Sequence, residues 1–259
     1  MAVSATAVPA ANASGGRYRT TDAELDKLID SATGWRIWHV RLVDERPALR
    51  APYGDAPLVT APAVRAECSV HVDHQPPEHD CACGVYAVEN VIDALYRLCV
   101  ITANIATGTT SLFRPTRVAP DTIPVLAHVH LTRVRWINRA VPWSDLKCTS
   151  PEMRAGVARI EQLYLAAQLV DHKRAERLAE RLRATLGVPA VVGYPGYTLD
   201  DWQSLPDWYR RGGPDGLLDD EYEPLVGGDR PHPRIPFRAP IPTPGETVWG
   251  GHVGRWDGQ

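Results

Sequence analysis

The amino-acid sequence predicts an α+β fold: a twisted, mostly antiparallel sheet with a central helix, followed by an extended, proline-rich C-terminal tail. Three observations support this prediction. Apolar and polar residues alternate over 35–42 and again over 125–134, as they do in strands with one buried face. Residues 171–186 carry an apolar stripe at helical spacing. Beyond Gly193 the chain is rich in proline, glycine and aromatic residues, a composition that favours extended structure.

The first part of the chain offers little material for a core. Residues 1–19 are mostly small and polar, and we expect them to form a disordered arm. Thr21 and Glu24 form a capping box, which predicts a short helix that extends to about Ile29. A basic region followed by an apolar run is absent from this segment, so no signal peptide is predicted.

The main domain is predicted to span residues 20–192. Aromatic and β-branched residues at 35–42 predict its first strand, and a second strand is expected at 64–72. An apolar-periodic run over 85–100 predicts the central helix. A further strand is expected at 125–134, because alternate residues there are apolar.

The C-terminal part begins with two helix-length segments. Residues 153–165 fit a helix or a strand equally well, whereas 171–186 predict an exposed amphipathic helix that Gly187 and Pro189 terminate. Residues 193–259 are assigned to the tail, because their proline density argues against an independent core. We expect the tryptophans of the tail to anchor it to the domain or to a partner: Trp202, Trp208, Trp249 and Trp256.

Composition narrows the range of functions. The 259 residues carry a net charge of −3, so the chain has no general attraction to nucleic acid or to an anionic membrane. No stretch approaches the ~18 apolar residues that a membrane-spanning helix needs. Five cysteines, three of them close together, do not suggest a disulfide framework, and a reducing cytoplasm is therefore the expected compartment.

The most informative segment is 68–87, which reads C-S-V-H-V-D-H-Q-P-P-E-H-D-C-A-C-G-V-Y-A and contains three cysteines and three histidines. Zinc prefers four Cys and His ligands in a tetrahedron. We therefore predict a structural zinc ion, although the C-x-C spacing is less specific than C-x-x-C. The predicted ligands are Cys68, His74, Cys81 and Cys83, with His71 or His79 as the substitute ligand.

Two other interpretations of this segment compete with zinc. Cys83 precedes the predicted central helix, and a helix N-terminus stabilises a thiolate. Such a nucleophile would use His128 or His130 as its base, in a papain-like peptidase, amidase or acyl-transfer enzyme. Asn138 or Asp145 would complete the arrangement. The third interpretation is a set of reduced, half-buried thiols. The number of donors favours zinc, because a nucleophile needs one cysteine.

A second candidate surface is basic. Arginines interleave with aromatic residues between positions 113 and 139, a pattern that suits nucleic acid or an acidic protein surface. The residues of this predicted face are Arg114, Arg117, Arg133, Arg135 and Trp136. A solvated strand face in an arginine-rich protein explains the same pattern.

Several motifs follow one another in a defined order: G-W-R-x-W-x-V at 34–40, A-x-C at 66–68, H-x-x-P at 74–77, C-x-C-G-V-Y-A at 81–87, an apolar strand segment at 125–134, R-A-x-x-A at 154–158 and L-x-V-P at 186–189. Over residues 34–189 this order resembles an uncharacterised family of actinobacterial and actinophage proteins. The resemblance implies no activity, but it supports the choice of Cys68, His74, Cys81 and Cys83.

The sequence thus predicts a zinc-stabilised, non-enzymatic interaction protein that binds a partner protein or a nucleoprotein complex. In an actinophage this would be an accessory factor of a DNA-transaction enzyme, an expectation that rests on the resemblance. A Cys83-dependent enzyme is the alternative.

Overall fold

The structure is a computed structural model, and it describes residues 27–52, 57–68, 71, 73–78, 81, 83–107, 123–137, 152–165, 172–205 and 241–249. The predicted arm and most of the predicted helix at 21–29 lie outside these residues. Ile29, the expected end of that helix, is the first residue of a strand.

Within the described residues the chain forms nine strands and three helices. The strands are β1 (Ile29–Val43), β2 (Arg46–Arg50), β3 (Ala63–Arg65), β4 (Val85–Val88), β5 (Ile123–Ile137), β6 (Glu152–Leu165), β7 (Ala190–Val192), β8 (Gly196–Thr198) and β9 (Thr247–Trp249). The helices are α1 (Val91–Thr107), α2 (His172–Leu186) and α3 (Leu199–Gln203). The predicted α+β class with a mostly antiparallel sheet is confirmed.

Seven of these strands form one sheet around β5, which pairs antiparallel with β1 on one edge and with β6 on the other. Strand β4 pairs with β6 and also, through Val88 and Trp35, with β1. The sheet therefore curls into a ring of β1, β5, β6 and β4. Strand β2 pairs antiparallel with the C-terminal part of β1. Strand β3 pairs antiparallel with β6, and β7 pairs parallel with β6. Strands β8 and β9 form a separate pair.

Apolar side chains cover both faces of this sheet. Val125 and Leu126 are adjacent in β5 but belong to different core clusters, because successive side chains in a strand point to opposite faces. Helix α2 packs on the face of Val125, and its buried stripe matches the predicted one: Ala175, Leu178, Ala179, Leu182 and Leu186. Helix α1 packs on the face of Leu126.

The predicted central helix starts later than the sequence pattern suggested. Residues 85–88 pair with β6 as strand β4, and helix α1 begins at Val91. Asn90 marks the start of α1, because its side-chain oxygen accepts hydrogen bonds from the amides of Ile92 (2.7 Å) and Asp93 (3.3 Å). The apolar run at 85–100 is thus a short strand followed by a helix, a distinction that apolar periodicity does not make.

Other predicted elements differ in extent. The strand at 35–42 forms the second half of β1, and the ambiguous segment 153–165 forms most of β6. Within the described residues of the predicted strand 64–72, only the three-residue strand Ala63–Arg65 forms, and the chain then leaves the sheet.

The described parts of the C-terminal region, which is predicted to be an extended tail anchored to the domain or to a partner, pack on the domain. Tyr197 is fully buried, and it packs with Leu205 and Val248 in the core cluster of α1. The Asn90 amide donates to the Asp201 carbonyl (2.7 Å) and to Ser204 Oγ (2.6 Å). Residues on both sides of the predicted boundary at 192 therefore share one core cluster. Trp202 is half-buried against the same cluster, while Trp208 and Trp256 lie outside the described residues.

We expect Tyr197→Ala to lower the free energy of unfolding by about 3–5 kcal/mol, because it removes a large buried side chain from the α1 core. Ile241→Ala, at a residue 64% exposed in the same region, should change it by no more than about 0.5 kcal/mol. Urea unfolding of both variants measures the difference. Equal small effects would show that the region contributes nothing to the core.

His39 provides a pH test of the sheet. It is buried in β1, and burial, with smaller contributions from Arg50 and Arg41, lowers its pKa from 6.5 to about 4. Between these values the unfolded chain binds more protons than the folded one, so stability falls as the pH drops from 6.5 towards 4. The contribution of His39 is on the order of 3 kcal/mol at most.

We therefore expect His39→Gln to flatten the acid side of a stability–pH curve measured by urea unfolding. His172→Gln is the matched control, because His172 is exposed on α2. Parallel curves for wild type and His39→Gln would contradict the assignment.

Candidate metal centre

The loop between β3 and β4 carries all four predicted metal ligands, and strand pairing brings its two ends together. Strand β3 pairs with β6 at residues 157–159, and β4 pairs with the same edge of β6 at 152–155. Between them, the Ala66 amide donates to the Gly156 carbonyl (2.8 Å). Because the two strands lie end to end on one edge, the end of β3 and the start of β4 are neighbours. Cys68 and Cys83, which lie just beyond these strand ends, are therefore brought close together.

Two glycines allow the loop to lie close to β6. Gly84 has φ +135°, a conformation that side chains other than glycine rarely adopt, and a Cβ there would lie 3.1 Å from the Cβ of Arg154. At Gly156, a Cβ would lie 2.5 Å from the Pro76 carbonyl oxygen. The loop therefore rests on the backbone of β6 at Gly156.

The four donor atoms form a compact group. Cys68 Sγ lies 3.6 Å from Cys81 Sγ, and His74 Nε2 lies 3.2 Å from Cys83 Sγ. All four donor atoms lie within 4.8 Å of one another. Zinc–sulfur bonds of ~2.3 Å and zinc–nitrogen bonds of ~2.0 Å give tetrahedron edges of roughly 3.5–3.8 Å. The group thus fits a four-coordinate metal ion, and the sulfur separation is far from the ~2.05 Å of a disulfide.

The surroundings of the group also suit bound thiolates. The His71 amide donates to Cys68 Sγ (3.3 Å), and the His71 ring lies 5.3 Å from the His74 ring. All four side chains are partly buried rather than fully exposed. His71, one of the two predicted substitutes, stands next to the group but is not a member of it, and His79 lies outside the described residues.

Three arginines hold the loop against the sheet. Arg133 donates to the Gln75 side-chain oxygen (2.6 Å) and to its carbonyl (3.4 Å). Arg135 donates to the Pro77 carbonyl (3.3 Å), and Arg154 donates to the Cys81 carbonyl. Arg133 and Arg135, predicted as parts of a basic face, therefore also support the metal loop. Arg154 was not among the predicted site residues. Its one signal in the sequence is its place as the first residue of the R-A-x-x-A motif.

The rest of the predicted basic face is not assembled among the described residues. Trp136 is only 8% exposed and belongs to the core, so its ring is not a surface platform. The reason is its position in β5, where its side chain points to the same face as Val134. Arg114 and Arg117 lie outside the described residues.

The residues of the predicted catalytic alternative are not brought together. His128 Nδ1 pairs with Glu161 (2.9 Å), and its ring packs 4.8 Å from Trp35. His128 lies opposite Gln162 of β6, whereas the loop of Cys83 rests on Gly156 of the same strand. Six residues separate these two positions, which is roughly 20 Å at ~3.3 Å per residue. His130 lies opposite Arg159, and Asn138 and Asp145 lie outside the described residues.

Cys83 itself is not in an activating environment. It precedes strand β4 rather than a helix, so no helix N-terminus stabilises its thiolate. Burial, with additional contributions from Cys81 and Cys68, raises the pKa of Cys83 to about 11, despite an opposing backbone hydrogen bond at Glu78. Reactive cysteines have a lowered pKa instead. The imidazole within reach of Cys83 is that of His74.

Comparison with known proteins reveals no matching family model, curated protein or solved structure. In the part of the chain that the structure describes, no helix is long and apolar enough to cross a membrane.

The geometry identifies which histidine should bind the metal. His74→Ala should reduce the metal bound by the purified protein from one ion per chain to well under half, because three thiols alone leave the tetrahedron open. His71→Ala should retain the metal. Cobalt substitution measures this directly through the visible absorption of tetrahedral Co²⁺. The reverse result would identify His71 as the ligand.

Proposed function

We propose that the protein is a zinc-stabilised interaction protein, without catalytic activity of its own, that binds a partner protein or a nucleoprotein complex. The observation that carries the proposal is the closed donor set. Cys68, His74, Cys81 and Cys83 supply four protein ligands within 4.8 Å. Structural zinc sites have four protein ligands, whereas catalytic sites leave one position for water or substrate.

The chemistry of the donors supports zinc over other metals. Thiolate and imidazole ligands in a tetrahedron suit zinc, and hard ions such as Mg²⁺ and Ca²⁺ prefer oxygen. The described residues of the loop between β3 and β4 form neither helix nor strand. When bound, zinc would order this loop, and the binding free energy would contribute to folding.

The outer side of the loop is available to a partner. His71, Asp73 and Gln75 are exposed, while Pro77 beneath them is buried. A loop that is fixed on a rigid scaffold and exposes polar side chains is a common form of binding site. The resemblance to actinophage proteins supports the narrower proposal of an accessory factor that controls a DNA-transaction enzyme, by analogy alone.

The second candidate function is a thiol-dependent peptidase, amidase or acyl-transfer enzyme with Cys83 as nucleophile. One observation favours it: His74 Nε2 is 3.2 Å from Cys83 Sγ, within reach of a general base. The raised pKa of Cys83 disfavours a nucleophile, and the two neighbouring thiols are further donors that suit zinc.

Metal analysis and thiol labelling separate the two functions. We expect elemental analysis of the native protein to give one zinc per chain. Iodoacetamide at neutral pH should label Cys83 slowly in that protein and faster after zinc is removed by a chelator, because a metal-bound thiolate is protected. Well under one zinc per chain, together with rapid and selective labelling of Cys83, would favour the enzyme.

The same two samples test partner binding. Capture from a lysate of the natural host, followed by mass spectrometry, should recover a partner with the zinc-replete protein and lose it after chelation. A partner recovered equally well by both samples would show that the zinc loop is not the binding surface.

A further inference from the structure

A group of charged side chains lies where β1, β4, β6 and α1 meet, and one of them, Arg154, contacts the loop that carries the candidate ligands. Arg97 of α1 bonds to Asp93 (3.4 Å) and to Glu152 at the start of β6. Arg36 of β1 donates to the Tyr86 carbonyl. Arg154 of β6 donates to the Cys81 carbonyl of the metal loop. The charged members of this group are Arg36, Arg97, Arg154, Asp93 and Glu152.

This group contains an excess of positive charge in the interior. Three guanidinium groups stand against two carboxylates, and Arg97 bonds to both of the carboxylates. Arg154 is only 8% exposed, and its Nε has no hydrogen-bond partner among the described residues. The Nε of Arg36 is in the same situation. Glu152 offsets part of the charge of Arg36. A buried guanidinium without a counter-charge is costly, so an anion is expected close to Arg154.

The loaded metal centre is such an anion. Three thiolates and one neutral imidazole around a divalent ion leave one negative charge. That charge is opposite in sign to the guanidinium groups of Arg36 and Arg154, which make no salt bridge to Asp93 or Glu152, the carboxylates of the group. Arg36 packs over the Trp38 ring (5.0 Å), whereas Arg154 contacts the loop that carries the candidate ligands.

We propose that Arg154 is the counter-ion and positioning residue of the metal–thiolate centre, an inference that rests on the proposed function. Its guanidinium donates to the carbonyl of the ligand residue Cys81 and bonds to the side chain of Tyr86, which lies in the electrostatic range of Cys83. Gly84 lets the chain pass directly beside the stem of Arg154. Arg154 thus positions the Cys81–Cys83 turn and neutralises the bound thiolates.

The test is zinc affinity, measured by competition with a chromophoric chelator. We expect Arg154→Gln to bind zinc about 10–100-fold more weakly than wild type, as for other residues that support metal ligands. Arg154→Lys keeps the charge and should recover most of that loss. Arg159→Gln is the matched control, because Arg159 is exposed on the same strand, and its affinity should stay within about twofold of wild type.

The outcomes separate this inference from the proposed function. A wild-type protein that takes up no zinc overturns the proposed function and this inference with it. Stoichiometric zinc in wild type with unchanged affinity in Arg154→Gln overturns this inference alone. Equal losses in the Gln and Lys variants would assign the effect to packing and would also overturn it. If Arg154→Gln does not fold, Arg154→Lys decides, and a loss beyond about tenfold contradicts a counter-ion role.

Discussion

The pairing of β3 and β4, end to end along one edge of β6, is the constraint on which the rest of the structure depends. It brings together the two ends of the loop that carries the candidate metal ligands, so that Cys68 and Cys83 lie close in space although they are separated in the sequence. The same pairing places β4 between β6 and β1 and so closes the ring of strands. The fold and the candidate metal site therefore share one physical cause: backbone hydrogen bonds to a single long strand.

Electrostatics complements this pairing. The described residues of the loop make few backbone hydrogen bonds with one another, and the arginines of β5 and β6 bond to its carbonyls. A guanidinium group presents several donors in a fixed plane, which suits it to bridging a sheet and an irregular loop. On the same strand as Arg154, Glu152 bonds to Arg97 of helix α1, whose Asn90 cap bonds in turn to Asp201 and Ser204.

The same geometry bears on function. Three thiols and one imidazole converge from a single loop. This donor set matches the four ligands of a structural metal site better than it matches the needs of a catalytic cysteine. A catalytic cysteine requires a stabilised thiolate and an oriented base. Here the thiol is flanked by two other sulfur atoms and precedes a strand rather than a helix. His128, the predicted base, is engaged with Glu161 elsewhere on the sheet.

Local patterns in the sequence were sufficient for several features. The apolar stripe of α2 and the alternation in β1 and β5 are periodicities of single elements. Each predicts its helix or strand without information on the elements that pack against it. The cluster of candidate metal ligands was also predictable, because Cys68, His74, Cys81 and Cys83 lie within one short segment. Donor type and density carry that information regardless of how the loop folds.

Tertiary structure alone decided the remaining features. Residues 85–88 became a strand because β6 offers them an open edge, and Tyr197 entered the core because α1 presents an apolar face. Arg133, Arg135 and Arg154 face the loop only because β5 and β6 pair beneath it. Each of these features depends on contacts between residues distant in the chain. A periodicity within one segment contains no information about such contacts. This is the physical reason that the sequence by itself determined the strongly periodic elements and the candidate ligands, but not the remaining elements or the arrangement of all of them.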